Sequence, residues 1–255
     1  MNTVAPKFYG KLAPRHDVRR LMLGDYLLSP LAPAPAACDR TASIPVDGWG
    51  TMLNTAEGCC TCSSQGHLIM SASAMTRSTP IVVPDSAIQT SYEAVSGYNP
   101  ATGANDNGAL ITDVNEYRRT VGIGGYKITA WTAIPYANAA LLSDAVYYFG
   151  AANIGVQLPS SAEQQFDAGE PWTVPWFSPI AGGHCIPIVA YDANYAYCVT
   201  WGKVQPMTWD FYAKYCDEAY VLVDPLLFDA GTGLDPTGLD VAALTADLTT
   251  LAAAA

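Results

Sequence analysis

The sequence is poor in positive charge and contains no long apolar run. Its 255 residues include 12 Lys and Arg against 23 Asp and Glu, which gives a formal net charge of -11. Such an acidic surface repels phosphate backbones and anionic lipids, so we expect no nucleic acid and no membrane among the partners. No apolar stretch reaches the about 18 residues of a membrane-spanning helix. The first residues also lack the apolar core of a secretory signal peptide, which predicts a chain that is cytoplasmic when made and not exported by the usual route.

A disulfide framework is lacking as well, although cysteine itself is not. The seven cysteines are an odd number without an evident pairing pattern, so at least one thiol is unpaired within the chain. A reducing compartment fits such a set. Because cysteine is among the residue types most often buried, those within strand or helix patterns are predicted to be small core residues. These are Cys185, Cys198 and Cys216.

Composition divides the chain into three parts. Residues 1–44 form a proline-rich N-terminal arm that includes "SPLAPAPAA" and has no core of its own. Residues 45–228 form the body, in which helical patterns come first and strand patterns later, the order of an α+β fold with segregated halves. Residues 229–255 form a tail that ends in an amphipathic helix. Its apolar stripe consists of Val241, Leu244, Leu248 and Leu251.

The body is predicted to begin with a helix over residues 60–75. Further helices are predicted after an N-cap at Asp85, from about Asp113, at 139–149 and at 207–216. Strands are predicted at 126–134, 152–159, 184–192, 195–202 and 218–228.

Three residues carry the groups that thiol chemistry requires. Cys60 lies where the turn "AEG" passes into a helix, so the positive end of the helix dipole would stabilise its thiolate. His184, in "GGHCIPIVAYD", supplies an imidazole that can act as a base, and the two glycines before it let the backbone pass close to a cleft. Asn54, six residues before Cys60, can donate its amide to an oxyanion together with the backbone N–H of Cys60.

These segments resemble the papain-like cysteine peptidase superfamily, and "VTWG" at 199–202 matches the tryptophan-glycine pair of that family. "LNTAEGCCTC", "AGGHCIPIVAYD" and "GYNPATGANDNG" are most similar to uncharacterised papain-like proteins of bacteriophages and actinobacteria. The resemblance implies a papain-like fold with a helical N-terminal half and an antiparallel β C-terminal half. It also implies that Cys60 is the nucleophile, His184 the base and then the acid, and Asn54 the oxyanion donor.

The nucleophile is not fixed by the resemblance alone. The "GDCT" helix start of the phage proteins corresponds to Cys60. In the peptidases a first cysteine precedes the nucleophile by three residues, which corresponds to Cys62 with Cys59 as a structural thiol. The spacing from Asn54 favours Cys60.

The residue that orients the histidine departs from the family pattern. Papain-like peptidases have an asparagine or aspartate there, whereas this chain has Val199, which cannot accept a hydrogen bond from an imidazole. Either Thr200 or Asp192 substitutes, a Cys–His dyad acts alone, or the site is inactive.

No cofactor and no metal are expected. The spacing of Cys59, Cys62 and His67 matches none of the usual structural zinc patterns. The "NDNG" segment at 105–108 lacks the later acidic ligands of a calcium loop and is predicted to be a plain turn.

Three aromatic residues precede His184, and they fit a substrate groove and a packed lid equally well. They are Trp172, Trp176 and Phe177.

Two functions follow from these patterns. The first is a thiol hydrolase that cleaves a peptide or amide bond in a peptide-like substrate, or a degenerate relative of one. The second is a non-catalytic structural protein of a phage virion, whose papain-like body serves as scaffold and whose arms bind neighbouring subunits. The first requires that Cys60 and His184 become neighbours across a crevice that solvent can reach.

Overall fold

A computed structural model describes residues 6–15, 20–41, 43–228 and 238–254 of the chain. Within these residues the body is α+β, with helices mainly in its first half and strands in its second, as predicted. None of the described helices is long and apolar enough to cross a membrane. The described α-helices are α1 (Cys60–Thr76), α2 (Asp85–Ser96), α3 (Ile111–Thr120), α4 (Ala139–Phe149), α5 (Ser160–Ala168), α6 (Trp209–Tyr215), α7 (Pro225–Phe228) and α8 (Val241–Ala254).

The described strands pair in one antiparallel sheet. They are β1 (Cys38–Asp39), β2 (Ala130–Ala133), β3 (Ala152–Pro159), β4 (Ile180–Tyr191), β5 (Tyr195–Thr200), β6 (Lys203–Thr208) and β7 (Cys216–Val223). Their order across the sheet is β2–β7–β3–β4–β5–β6, and β1 pairs with β4. The 12-residue strand β4 therefore lies in the middle of the sheet, where α1 packs against it.

Helix α1 is the centre of the molecule. It begins at Cys60, as predicted, and is buried from there to Ala74. Its many Ser, Ala and Gly residues let neighbours approach closely, and a Cβ on Gly66 would lie only 2.3 Å from the sulfur of Met52. Strand β4 contacts the helix on the sheet side, and α2 and α3 contact it as well. A helix enclosed in this way needs no polar face.

A buried polar network joins the helices to the sheet. Arg118, fully buried on α3, forms an ion pair with Asp224, which directly follows β7. The same guanidinium donates a hydrogen bond to Gln65 of α1 at 3.1 Å. Gln65 in turn donates to Asn115 of α3 at 2.7 Å. Because an unpaired buried charge is costly, the network fixes the position of α1 and α3 relative to β7.

The sequence prediction is wrong or incomplete at several elements. Helix α5 and strand β6 were not predicted. Strand β6 contains Pro206, which is tolerated because β6 is the edge strand of the sheet. The last residues of the predicted strand 218–228 form the short helix α7, which begins with a proline, a residue common at the first helical position. Asp85 lies in the first turn of α2, and Pro84 occupies the N-cap.

Both terminal segments pack on the body where they are described. In the N-terminal arm, Leu21, Leu23 and Tyr26 are buried in the same core cluster as β3 and β4. In α8, the stripe residues Leu244 and Leu248 are fully buried in that cluster, as their spacing predicted. The first part of the predicted tail, residues 229–237, lies outside the described residues.

Candidate functional site

The Cys60 thiol lies at the N-terminus of α1, facing strand β4 and the N-terminal arm. It is completely buried, and burial raises its pKa to about 11. The backbone amides of Cys185 and Gly10 and the ammonium group of Lys11 act in the opposite direction. In this conformation the thiol is protonated at neutral pH.

The His184 imidazole lies near the start of β4, one residue before the Cys185 amide that contacts the Cys60 thiol. Its Nε2 is 2.8 Å from the hydroxyl oxygen of Thr200, and its ring stacks on Trp201 with centroids 4.9 Å apart. Burial lowers its pKa to about 3, so the imidazole is neutral. Within the described residues its Nδ1 has no hydrogen-bond partner, and no hydrogen bond joins it to Cys60.

The partner of the imidazole is Thr200 and not the residue at the family position. Val199 is buried in a hydrophobic cluster that also contains Ile69 and Val189. Asp192, the other candidate, is bound within the turn between β4 and β5, where its carboxylate accepts hydrogen bonds from backbone amides. Of the two substitutes that the sequence offered, the structure brings only Thr200 to His184.

Asn54 lies in the turn before α1, and its amide is already engaged. It donates hydrogen bonds to the backbone oxygens of Glu57 and Phe8, both at 3.3 Å. The first bond closes the turn. The second holds a residue of the N-terminal arm.

The arm crosses the site as an extended segment, Phe8–Leu12, which we call the arm segment. The amide of Lys11 donates to the oxygen of Gly183 at 3.0 Å, directly before His184. On its other side, the amide of Ala109 donates to the Gly10 oxygen at 2.8 Å, and the Leu12 amide donates to the Ala109 oxygen at 3.1 Å. The arm segment therefore bridges β4 and the loop that precedes α3.

Glycines make this close passage possible. A Cβ on Gly183 would lie 2.2 Å from the Lys11 oxygen, and a Cβ on Gly10 would lie 1.5 Å from the Gly58 oxygen. Both distances are far below van der Waals contact. The sequence indicated that the glycines before His184 admit a backbone, and here that backbone is the chain's own arm.

Helix α5 anchors the outer part of the arm. The Tyr9 hydroxyl donates to the Glu163 carboxylate, and the ammonium group of Lys7 lies 2.5 Å from the Asp167 carboxylate. The Tyr9 ring also packs edge-on against His184, with centroids 5.9 Å apart.

The crevice that solvent can reach, expected between Cys60 and His184, is not found in the structure, because both groups are buried. Cys60 is 0% exposed and His184 is 1% exposed. Gly10 contacts the thiol and Tyr9 contacts the imidazole, so the arm segment covers both groups.

The neighbouring cysteines have other surroundings. The Cys59 sulfur lies 3.3 Å from the Ser63 hydroxyl. The Cys62 thiol interacts with the Ser91 side chain, and burial raises its pKa to about 12. Neither thiol contacts β4 or the arm in these interactions.

The other four cysteines are likewise free thiols, and the three that were predicted to be core residues are buried, which confirms that prediction. These are Cys185, Cys198 and Cys216.

The remaining candidates of the sequence do not form a metal site. His67 is buried, and its Nε2 lies 2.9 Å from the Gly50 oxygen. Among the described residues no group of three or more His, Cys, Asp or Glu side chains is arranged to hold a metal ion. Asp106 of the "NDNG" segment accepts hydrogen bonds from the Gly58 amide at 2.9 Å and the Tyr92 hydroxyl at 2.6 Å. It therefore orders the turn before Cys60, a role that the turn composition alone did not reveal.

The three aromatic residues before His184 separate into two classes. Trp172 is fully buried and donates a hydrogen bond to the Ala162 oxygen at 2.9 Å. Trp176 and Phe177 are 104% and 84% exposed. Only the first belongs to the core.

No protein-family model matches the sequence, and no curated protein matches it either. Solved structures do share its fold. Xylellain, a cysteine protease from Xylella fastidiosa, aligns with a TM-score of 0.65 at 15% identity over 88% of this chain and 99% of its own. Digestive procathepsin L 3 of Tenebrio molitor aligns at 0.57 and 12% identity over 84% and 75%. The cysteine protease and lectin-like domains of Cwp84 from Clostridium difficile align at 0.59 and 10% identity over 88% and 57%. The chain thus has the fold of papain-like cysteine proteases.

Proposed function

We propose that the protein is a papain-like thiol hydrolase that cleaves a peptide or amide bond and whose site is covered by its own arm segment. The observation that carries the proposal is the environment of His184. Its Nε2 is fixed by Thr200, its Nδ1 is buried without a partner, and the next residue contacts the Cys60 thiol. This leaves Nδ1 as the nitrogen that is free to accept a proton from a thiol.

The surroundings of Cys60 support its assignment as nucleophile over Cys62. Cys60 is the thiol that contacts β4 and the arm, whereas Cys62 is bound to Ser91 of α2. The positive end of α1 favours a thiolate at position 60 and remains in place when the arm segment leaves.

The chemistry begins once the arm segment has left. The Cys60 thiol gives its proton to Nδ1 of His184, and the sulfur adds to the carbonyl carbon of the substrate. The backbone N–H of Cys60 and the Asn54 amide, released from Phe8, stabilise the oxyanion. His184 then protonates the leaving amine, and water hydrolyses the thioester that remains on Cys60.

The alternative, a non-catalytic scaffold of a phage virion, is favoured by one observation. The thiol and the imidazole are sealed from solvent and are not hydrogen-bonded to each other among the described residues. The same arm that would bind a neighbouring subunit is, however, engaged along Phe8–Leu12 with its own body.

The substitution Gly10→Ala tests the proposal in the full-length chain. The added Cβ would overlap the Gly58 oxygen, so the arm segment cannot seat and Cys60 becomes accessible. Iodoacetamide labelling near neutral pH, mapped by mass spectrometry, should then modify Cys60 faster than a free thiol. Adding His184→Ala should abolish the acceleration. Incubation of the Gly10→Ala variant with peptide libraries, analysed by mass spectrometry, should detect cleaved peptides.

The matched control is Gly24→Ala, because a Cβ at Gly24 meets no atom within 4 Å. It should label as slowly as the wild type. Hydrogen exchange of the Lys11 and Leu12 amides reports whether the arm segment has left. If it has left and Cys60 still reacts no faster than a free thiol, the hydrolase is excluded and the scaffold remains. If Gly10→Ala does not fold, Glu163→Gln loosens the arm at Tyr9 instead.

A further inference from the structure

We infer that the pocket now filled by the Lys11 side chain is a specificity pocket, which takes the lysine-like ammonium side chain of a substrate when the arm segment leaves. The inference deepens the proposed function and rests on it, because a substrate side chain can occupy the pocket only if the protein is a hydrolase. The affinity of the pocket for an ammonium group does not depend on catalysis and can be measured without it.

The pocket is a built site next to the thiol. The Lys11 ammonium lies 3.0 Å from a carboxylate oxygen of Asp217, 3.0 Å from one of Glu218 and 3.2 Å from the Leu12 oxygen. Its side chain is 0% exposed, and that of Glu218 is 2% exposed. The Lys11 amide is bound to the Gly183 oxygen directly before His184, and Gly155, next to the Lys11 side chain, pairs with Cys185, so the pocket lies next to the proposed site.

Both carboxylates are held in place by residues of the sheet. Gln157 of β3 donates to Asp217 at 2.7 Å, and the Tyr220 hydroxyl donates to Glu218 at 2.7 Å. These neutral donors orient the carboxylates but do not neutralise them. Without Lys11, two neighbouring negative charges would remain without a counter-charge, so an incoming cation would be favoured.

The pocket has room for a methylene stem because β3 carries a glycine there. A Cβ on Gly155 would lie 2.4 Å from Cε of Lys11. Gly155 pairs with Cys185 in β4 and with Glu218 in β7. The methylene stem of Lys11 therefore lies over β3, between the proposed site at β4 and the carboxylates of β7. An apolar side chain could fill this space, but it would leave both carboxylates unpaired.

The first test measures the pocket alone. In the full-length Lys11→Ala variant, n-propylammonium replaces the missing part of the side chain, whereas 1-propanol has a similar size and no charge. We expect n-propylammonium, at concentrations where 1-propanol has no effect, to raise the melting temperature by at least about 2 °C. Where Lys11→Ala does not fold unaided, the refolded fraction in each additive gives the same comparison.

Two double variants make this test specific. Lys11→Ala/Glu218→Gln should lose the rescue, because half of the negative charge is gone. Lys11→Ala/Glu163→Gln should retain it, since Glu163 contacts the arm outside the pocket. Equal effects of n-propylammonium and 1-propanol, or a rescue that survives Glu218→Gln undiminished, would overturn the inference.

The second test measures specificity. Peptidyl acyloxymethyl ketones that differ by lysine or norleucine at one position should label Cys60 of the Gly10→Ala/Lys11→Ala variant, in which the arm segment cannot occupy its site, with a preference for lysine of about tenfold or more. Glu218→Gln should reduce that preference. Rapid labelling without preference overturns the specificity pocket and leaves the hydrolase. Amine rescue without any labelling overturns the hydrolase and leaves the pocket.

Discussion

At the scale of the residue, two neighbouring positions show where sequence comparison fails. Alternate residues of a strand point to opposite faces of the sheet, so Val199 and Thr200 have different surroundings. Val199 joins the core, and the Thr200 hydroxyl meets His184. The sequence named Cys60 and His184 as candidates and Thr200 as a substitute partner, but only the structure shows which of the neighbours Val199 and Thr200 faces His184.

The first prediction concerns this hydroxyl, which we regard as a positioning group. In the Gly10→Ala background, Thr200→Val should slow the labelling of Cys60 by about tenfold, because the imidazole loses the bond that orients it. Thr200→Ser should restore the rate and its pH profile.

A control uses the adjacent position. Thr200→Val/Val199→Thr restores a hydroxyl to the strand on the wrong face and should remain slow. Recovery in this variant would contradict the assigned role of Thr200.

At the scale of the element, helices and strands with a clear sequence pattern could be predicted, whereas those without hydrophobic periodicity or with a proline could not. Helix α1 follows from its unbroken run without proline. Helix α5, "SSAEQQFDA", has one buried residue, Ala162, so no hydrophobic periodicity marks it. Strand β6 could not be recognised from the sequence because it contains Pro206, a residue that is rare within strands. The missed helix α5 nevertheless anchors the arm through Glu163 and Asp167.

The second prediction concerns the contact between α3 and the end of β7. Asp224→Asn leaves the Arg118 guanidinium buried without a counter-charge and should lower the free energy of unfolding by about 3–5 kcal/mol. Urea unfolding measures this loss.

A matched control is available one residue further along α3. Arg119→Gln breaks the more exposed ion pair with Glu116 and should cost no more than about 1 kcal/mol. Similar losses for both variants would show that burial does not set the strength of the Arg118 pair.

At the scale of the whole molecule, the composition predicted the extended N-terminal arm but not what holds it. Its partners, Gly183 and Asp217 among them, lie far along the chain, and no local pattern records such contacts. The closed state of the site was therefore beyond sequence analysis, because it depends on tertiary packing alone.

The third prediction concerns the pH dependence of stability. Burial lowers the pKa of His184 to about 3 and that of His67 to about 4. A histidine in the unfolded chain has a pKa of about 6.5. Below that pH the unfolded chain therefore binds protons at these two positions, whereas the folded chain keeps both imidazoles neutral. Each imidazole should therefore reduce the free energy of unfolding by up to about 1.4 kcal/mol per pH unit as the pH falls from about 6.5 towards its folded pKa.

Comparison with His67→Gln isolates this effect, since Glu57 and Asp113, whose pKa values are raised by burial, act in the opposite direction in both proteins. Urea unfolding between about pH 7 and about pH 5 should give a smaller slope for His67→Gln. An unchanged slope would contradict the neutral, buried state of His67.

The arm segment also has a consequence for the order of folding. Lys11 and its partner Asp217 are 206 positions apart, and Gly183 lies in a strand formed from the second half of the chain. Closing so long a loop is entropically unfavourable until most of the sheet exists. During synthesis, the arm segment therefore cannot dock completely until β7 has been made. A nascent chain that ends before β7 would lack the carboxylates that bind Lys11, and we expect its Cys60 to react with thiol reagents faster than that of the folded protein.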